Sequence, residues 1–122
     1  MTVRTHLPLA MHVWQSLHVN HSNAVDGFDE TSELFRALAS PIRIALVAEL
    51  ANGEQCVHEL VERLHLPQPL ISQHLRVLRG ADLVDGVRRG REVAYQLTDE
   101  HVAHIVLDAV RHAQEGKVHD PS

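Results

Sequence analysis

The 122-residue sequence has a single cysteine, Cys56, only four aromatic residues (Trp14, Phe28, Phe35 and Tyr95), and no long uninterrupted apolar run. One thiol excludes an intramolecular disulfide framework. A membrane helix needs about 20 predominantly apolar residues. The N-terminal stretch MTVRTHLPLAMHVWQSLHV is interrupted by His12 and Gln15 and carries one early Arg, so it reads neither as a membrane span nor as a secretory signal. A cytoplasmic protein with no membrane association is expected. The shortage of aromatics, set against plentiful Ile, Leu, Val and Ala, disfavours a sandwich or barrel and favours helices packed by aliphatic side chains. The length suits one compact domain with tails.

The formal net charge of -5 argues against a generally basic nucleic-acid binder, but the charge is unevenly placed. Residues 68–91 hold five Arg against two Asp, a net of +3, while the remaining six basic and fourteen acidic groups give -8. One basic patch therefore sits on an acidic body. The compositional outlier is histidine, with eleven in so short a chain. That excess points to metal or pH chemistry, with incidental surface usage as the alternative.

Residues 7–19 space Ala10, Val13, Trp14 and Leu17 as a short amphipathic helix, and the turn-rich NHSNAVDGFD follows as a linker. ETSELFRALA then places Leu34, Phe35 and Leu38 on one helical face. Ser40 and Pro41 supply an N-cap and a first-turn proline for a helix ending at Gly53, with Ile42, Ala45, Leu46 and Leu50 inward. CVHELVERLHL is a further short helix burying Val57, Leu60, Val61 and Leu64. After a break at Pro67, Ile71, Leu75 and Leu78 stand at i, i+4 and i+7. Two short helices joined this closely form a helix-turn-helix candidate. The period changes in LVDGVRRGREVAYQL, which alternates at Val93, Tyr95 and Leu97 around Arg89–Gly90, as a two-stranded hairpin would. The expected fold is mostly α with a small β-hairpin, a winged helix-turn-helix. Its organisation is an N-terminal arm over 1–29, a winged helix-turn-helix domain over 30–115 and a tail over 116–122.

Opposite its leucines, the second helix of the pair carries Gln68, Pro69, Ser72, Gln73, Arg76 and Arg79. Short polar and guanidinium groups in this position can meet base edges and phosphates from the major groove. Arg88, Arg89 and Arg91 at the hairpin tip would meet the neighbouring backbone. A solvated helix face and an arginine-rich turn are the alternative for any one of these residues. Five Arg in two adjacent elements of an acidic chain favour DNA.

The stretch DEHVAHIVLDAVRHAQE, residues 99–115, concentrates ligand-type side chains at its two ends. On a helical wheel His101, His104, Asp108, His112 and Glu115 share one stripe, next to an apolar seam of Val102, Val106, Ala109, Val110 and Ala113. Eleven residues of helix separate His101 from His112 by about 16 Å, several times what one ion spans at about 2 Å per ligand. An antiparallel copy related by a two-fold axis would bring Asp99 and His101 of one chain to His112 and Glu115 of the other. Two such sites result, each with four N/O ligands suited to tetrahedral zinc. Taken singly, Asp99 also fits as an acidic helix-start residue, and the histidines as surface groups. Glu115 in the last turn opposes the helix dipole, so a ligand role gives it a reason to be there. Asp108 has no evident role.

The segments LFRALASPIRIALVAEL, CVHEL, ISQHLRVLRGADLV, GREVAYQLTDEHV and HAQE occur in the order in which they occur in the ArsR/SmtB family of metal-sensing winged-helix repressors, which this sequence resembles over about residues 31–115. The resemblance is most specific in the last helix, where zinc sensors of the family carry Asp-x-His and His-x-x-Glu. It implies a dimer with N- and C-terminal dimerisation helices that binds double-stranded operator DNA, an inverted repeat, when metal-free and releases it on binding Zn(II). It also implies a second site, where other members carry Cys-x-Cys. Cys56, His58 and Glu59 occupy that place, with His12, His18 and His21 of a partner's arm as further candidates. A single thiolate suits arsenite poorly, and Cys56 has the alternative of a small buried apolar residue.

His104 departs from the family's usual quartet, so a nickel- or cobalt-responsive repressor, using Ni(II) or Co(II), is the alternative to a zinc sensor. A zinc buffer or delivery protein is the alternative from another class. A closed ligand set without a nucleophile motif argues against an enzyme.

Overall fold

The computed structural model describes residues 24–118, so the expected helix over 7–19 and His12, His18 and His21 lie outside the described residues. The chain divides into two compact units, Met1–Phe35 and Arg36–Ser122. In the first, a 3-10 turn at Ala24–Phe28 leads into α1 (Asp29–Leu38), whose last turn belongs to the second.

The second unit starts with a helix whose boundary is set by local chemistry. Ser40 adopts an extended conformation and its hydroxyl accepts from the Arg43 amide at 3.3 Å, while Pro41 occupies the first turn of α2 (Pro41–Leu50). This satisfies an amide with no intrahelical partner, and the proline forfeits no hydrogen bond there. The helix buries Leu46, Val47 and Leu50. A two-residue strand, β1 (Gln55–Cys56), runs into α3 (Val57–Leu64). His65 then takes a left-handed conformation (φ 57°, ψ 43°) and its amide donates to Val61 O at 2.9 Å, closing α3. Helix α4 (Gln68–Gly80) follows with Ile71, Leu75 and Leu78 buried, as the i, i+4, i+7 spacing predicts. The pair α3–α4 is the expected helix-turn-helix.

Strands β2 (Val84–Arg89) and β3 (Glu92–Leu97) pair antiparallel with Arg89 opposite Glu92, which leaves Gly90–Arg91 as the two-residue loop. Gly90 has φ +64° and Arg91 does not have a positive φ, the pattern of a II′ hairpin. The loop centre is thus one residue beyond the expected Arg89–Gly90. The sheet has three strands, ordered β1-β3-β2, because Gln55 and Cys56 pair with Tyr95 and Ala94. With neighbours on both sides, β3 turns Ala94 into the core at 2% exposure, while the expected alternating set Val93, Tyr95 and Leu97 is only half-buried.

Helix α5 (Glu100–Val118) packs through its first half. Val102 and Val106 are buried one turn apart. Ala109 and Ala113, expected inward on the same seam, are exposed, because the seam runs past the end of the core provided by α2 and β3. The turn that follows α4 is joined to the residue after β3, continuing the β2–β3 pairing: the Thr98 amide donates to Leu83 O at 3.1 Å and its hydroxyl to Asp82 O at 2.9 Å.

Candidate functional site

Burial of Ile71, Leu75 and Leu78 fixes the rotation of α4, and with it the opposite face. Gln68, Pro69, Gln73, Arg76 and Arg79 are exposed and Ser72 is half-buried. Gln68 Nε2 donates to Ser72 Oγ at 3.0 Å, pre-ordering two of the polar side chains one turn apart. The guanidinium of Arg79 reaches the hairpin, where it bounds, with Val93 and Tyr95, the space a side chain at Gly86 would fill. His74 lies on the packing side. Arg43 Nη1 donates to its Nδ1 at 3.0 Å while Arg43 Nε donates to Ala37 O, so the imidazole ties α4 to α2 through a lone pair on Nδ1.

The three hairpin arginines differ in their surroundings. Arg88 and Arg91 are exposed and have no ion-pair partner among the described residues. Arg89, expected beside them as a phosphate ligand, is held in a two-point pair with Glu54, Nε to Oε2 at 2.7 Å and Nη2 to Oε1 at 2.9 Å. The fork geometry of guanidinium and carboxylate makes this the better-defined surface pair. It points Arg89 to the turn before β1. Sequence inspection cannot find it, because Glu54 lies 35 residues away.

The ligand set of the last helix divides as the wheel requires. His101 and His104 are exposed in the first turns of α5, and His112 and Glu115 near its end. No group among the described residues joins the two ends. Asp99 immediately precedes the helix and its Oδ1 accepts from the Val102 amide at 3.2 Å, so it caps α5 while leaving its other oxygen available. Asp108 forms an i, i+3 pair with Arg111 at 3.0 Å, which gives it a role in helix stability.

The Cys56 region is assembled differently from the sequence expectation. Glu59 turns back to accept from the Cys56 amide at 2.7 Å, serving the start of α3 instead of facing the thiol and imidazole. Its place is taken by Glu92, the first residue of β3, whose Oε1 lies 3.4 Å from His58 Nδ1. One donor atom each from Cys56, His58 and Glu92 lie within 4.8 Å of one another, the metal-grade cluster found among the described residues. A hydrogen bond to Glu92, partial burial and the negative charge of Glu92, Glu59 and Glu54 push the Cys56 thiol up from 9.0 to about 11. The side chain is half-buried, not the core residue considered as its alternative. Glu92 escapes sequence reasoning because only the β1–β3 pairing brings it to residue 56.

Comparison with known proteins agrees with this architecture. A family model described as "Bacterial regulatory protein, arsR family" matches residues 40–85, from the cap of α2 through the helix-turn-helix into β2. The chain is 59% identical over 90 residues to the HTH-type transcriptional repressor SmtB of Mycobacterium tuberculosis, covering 74% of this chain and 67% of that protein. Among solved structures, HlyU from Vibrio cholerae matches with a TM-score of 0.63 at 32% identity, over 67% of this chain and 89% of that one. The cadmium metal-sensor CMTR from Mycobacterium tuberculosis matches with a TM-score of 0.55 at 38% identity, over 61% of this chain and 76% of that one.

Proposed function

Since the chain belongs to the ArsR family of bacterial regulatory proteins, we propose that it is a transcriptional repressor which binds operator DNA as a homodimer and releases it when α5 takes up metal, Zn(II) above all. Its relatives are transcriptional regulators, not enzymes. The observation that carries the metal-release mechanism is the division of ligands on α5. Asp99 and His101 stand at one end, His112 and Glu115 at the other, all exposed and about 16 Å apart along the helix. A two-fold partner antiparallel to this helix supplies the missing half of each site.

Such a site forms only across a dimer, so metal fixes the relative orientation of two subunits. That orientation sets the separation of the two α4 helices. Major grooves on one face of DNA recur about every 34 Å, so a small change in helix separation lowers affinity. Gln68, Ser72, Gln73 and Arg76, with Pro69 opening the helix, are assigned to the groove, and Arg79, Arg88 and Arg91 to phosphates. Arg89 joins them only by leaving Glu54.

The test is operator affinity of the purified protein, measured by fluorescence anisotropy on DNA from upstream of its own gene, with and without stoichiometric Zn(II). Zinc is expected to weaken binding, and His101→Ala with His112→Ala to abolish the response. An operator affinity indifferent to zinc would sink the assignment. The exposed His104, one turn from His101, favours a second reading in which Ni(II) or Co(II) is the effector with a larger ligand set. Optical spectra of the Co(II) form separate four ligands from six. A zinc buffer would retain the metal affinity and show no operator binding at all.

A further inference from the structure

We propose that Gly86 is a positioning residue for DNA binding: by offering no side chain in the middle of β2, it leaves a notch that seats the guanidinium of Arg79, so that α4 and the hairpin meet the DNA backbone as one unit. This rests on the DNA-binding reading above, in which Arg79 is a phosphate ligand, and goes beyond it in naming what aims that ligand.

The strand itself gives glycine no reason to be there. Glycine weakens a strand interior, since it loses more freedom on folding than any other residue and has no side chain to pack. It is found at bulges, at positions of positive φ, or where another group approaches closely. Strands β2 and β3 pair residue for residue from Val84 opposite Leu97 to Arg89 opposite Glu92, with no bulge. Gly86 is not among the positive-φ residues, unlike Gly53 and Gly90.

Close approach remains. A β-carbon at 86 would stand 3.0 Å from Val93 Cγ1, 3.4 Å from Arg79 Nη1 and 3.6 Å from Tyr95 Cε1. At Gly53, Gly80, Gly90 and Gly116 nothing lies within 4 Å of the same position. Val93 and Tyr95 belong to the paired strand, but Arg79 comes from the last turn of α4. Val93 is β-branched and stiff at χ1, whereas Nη1 is the far end of a flexible side chain. A methyl group at 86 therefore displaces the guanidinium.

Seating has a use in binding. An arginine free in water loses rotamer freedom when it grips a phosphate, and one already laid against the hairpin has lost part of it beforehand. Arg79 stays exposed and has no ion-pair partner among the described residues, so its charge remains for DNA. Strand alternation puts Arg88 on the same face of β2 as Gly86, about 7 Å further along the backbone. Two guanidinium groups, one from each element, thus share one face of the hairpin.

Operator affinity measured against salt for wild type, Gly86→Ala, Arg79→Ala and the double variant tests this. Arg79→Ala is expected to reduce the slope of log affinity against log salt by about one, and Gly86→Ala by a comparable amount although it removes no charge. In the Arg79→Ala background, Gly86→Ala should change affinity by less than about twofold. An unchanged slope in Gly86→Ala, or an equal loss of affinity in both backgrounds, overturns the proposal. Val93→Ala/Gly86→Ala relieves the 3.0 Å contact and keeps the methyl against Arg79. Compared with Val93→Ala, it should show the same change of slope even where Gly86→Ala folds poorly. A measurement without DNA keeps the two readings apart. In the free protein the Arg79 Nε–Hε NMR resonance, identified by its loss in Arg79→Ala, should shift in Gly86→Ala while those of Arg76 and Arg91 stay in place. An unmoved Arg79 resonance overturns the seating whether or not operator is bound. A chain that shows the shift yet binds no operator upholds the seating and sinks the DNA-binding reading.

Discussion

Asp99 combines two duties that substitution can separate. Its Oδ1 caps α5 by accepting from Val102, and its carboxylate is one of the four proposed ligands of the inter-subunit site. Asparagine caps about as well as aspartate but lacks the charge a metal ligand needs. Asp99→Asn is therefore expected to hold stability within about 0.5 kcal/mol, and Asp99→Ala to lose about 1 kcal/mol. Both should lose zinc affinity about tenfold or more, so thermal melts together with chelator competition resolve the two roles. Cys56 yields a pH prediction for the metal-free protein. With its proton held to about 11 instead of 9.0, the thiolate fraction at pH 8 is about a hundredfold below that of an ordinary cysteine. Alkylation should be slow at pH 8 and accelerate until the pH passes about 11, and Glu92→Gln should speed it at pH 8. An alkylation rate at pH 8 equal to that of a free thiol would contradict this environment. At this scale the sequence was informative about residue type and poor about partners. The cap at Ser40 and the ligand-rich ends of α5 were legible because their partners lie within a few residues. Glu92, the engagement of Glu59 as a cap and the Glu54–Arg89 pair were not, because each depends on which turn or strand the side chain meets.

Among the elements, the helix-turn-helix was readable because a single apolar period governs α4, and its buried and exposed faces follow from that period together. The strands were harder. A two-residue β1 has no period of its own, yet its pairing puts β3 in the middle of the sheet and turns Ala94 inward in place of the larger alternating residues. The hairpin also sorts its arginines. Arg88→Ala and Arg91→Ala should each lower operator affinity and reduce the slope of log affinity against log salt by about one. Arg89→Ala should change that slope less, since binding by Arg89 first requires breaking its two-point contact with Glu54. Its effect on stability is expected to stay below about 1 kcal/mol, as for other exposed ion pairs. Salt titrations of the three variants compare them directly. Equal slopes for all three would mean that Arg89 is free in the complex. Gly90→Ala belongs with this element: φ +64° costs a side chain about 1 kcal/mol, seen as a lowered melting temperature.

In the whole molecule, the last turns of α5 carry an apolar stripe with no core beneath it among the described residues. Ala109 and Ala113 continue the line of buried Val102 and Val106 but are exposed, beside the half-buried Val110. This surface suits a second copy of the same helix. Ala109→Glu with Ala113→Glu should shift sedimentation velocity from dimer to monomer and weaken operator binding even without metal, whereas a retained dimer would place the interface elsewhere. The sequence could mark these alanines as apolar but not say whether the chain's own core or a partner receives them. That depends on where α2 and β3 end. With an intact dimer, coupling between metal and operator must be reciprocal: whatever factor zinc takes from DNA affinity, DNA takes from zinc affinity. Zinc titrations with and without operator measure it, and unequal factors would exclude a simple linked equilibrium. The joint at Thr98 adds a way to watch this coupling in time. Its amide, donating to Leu83 O, is released to exchange when the turn that follows α4 parts from the residue that follows β3, at the open end of the β2–β3 ladder. Its deuterium uptake is thus a clock for this junction: uptake as slow as that of the buried helices means the connection between the groove-reading and ligand-bearing segments stays closed, and fast uptake means it opens.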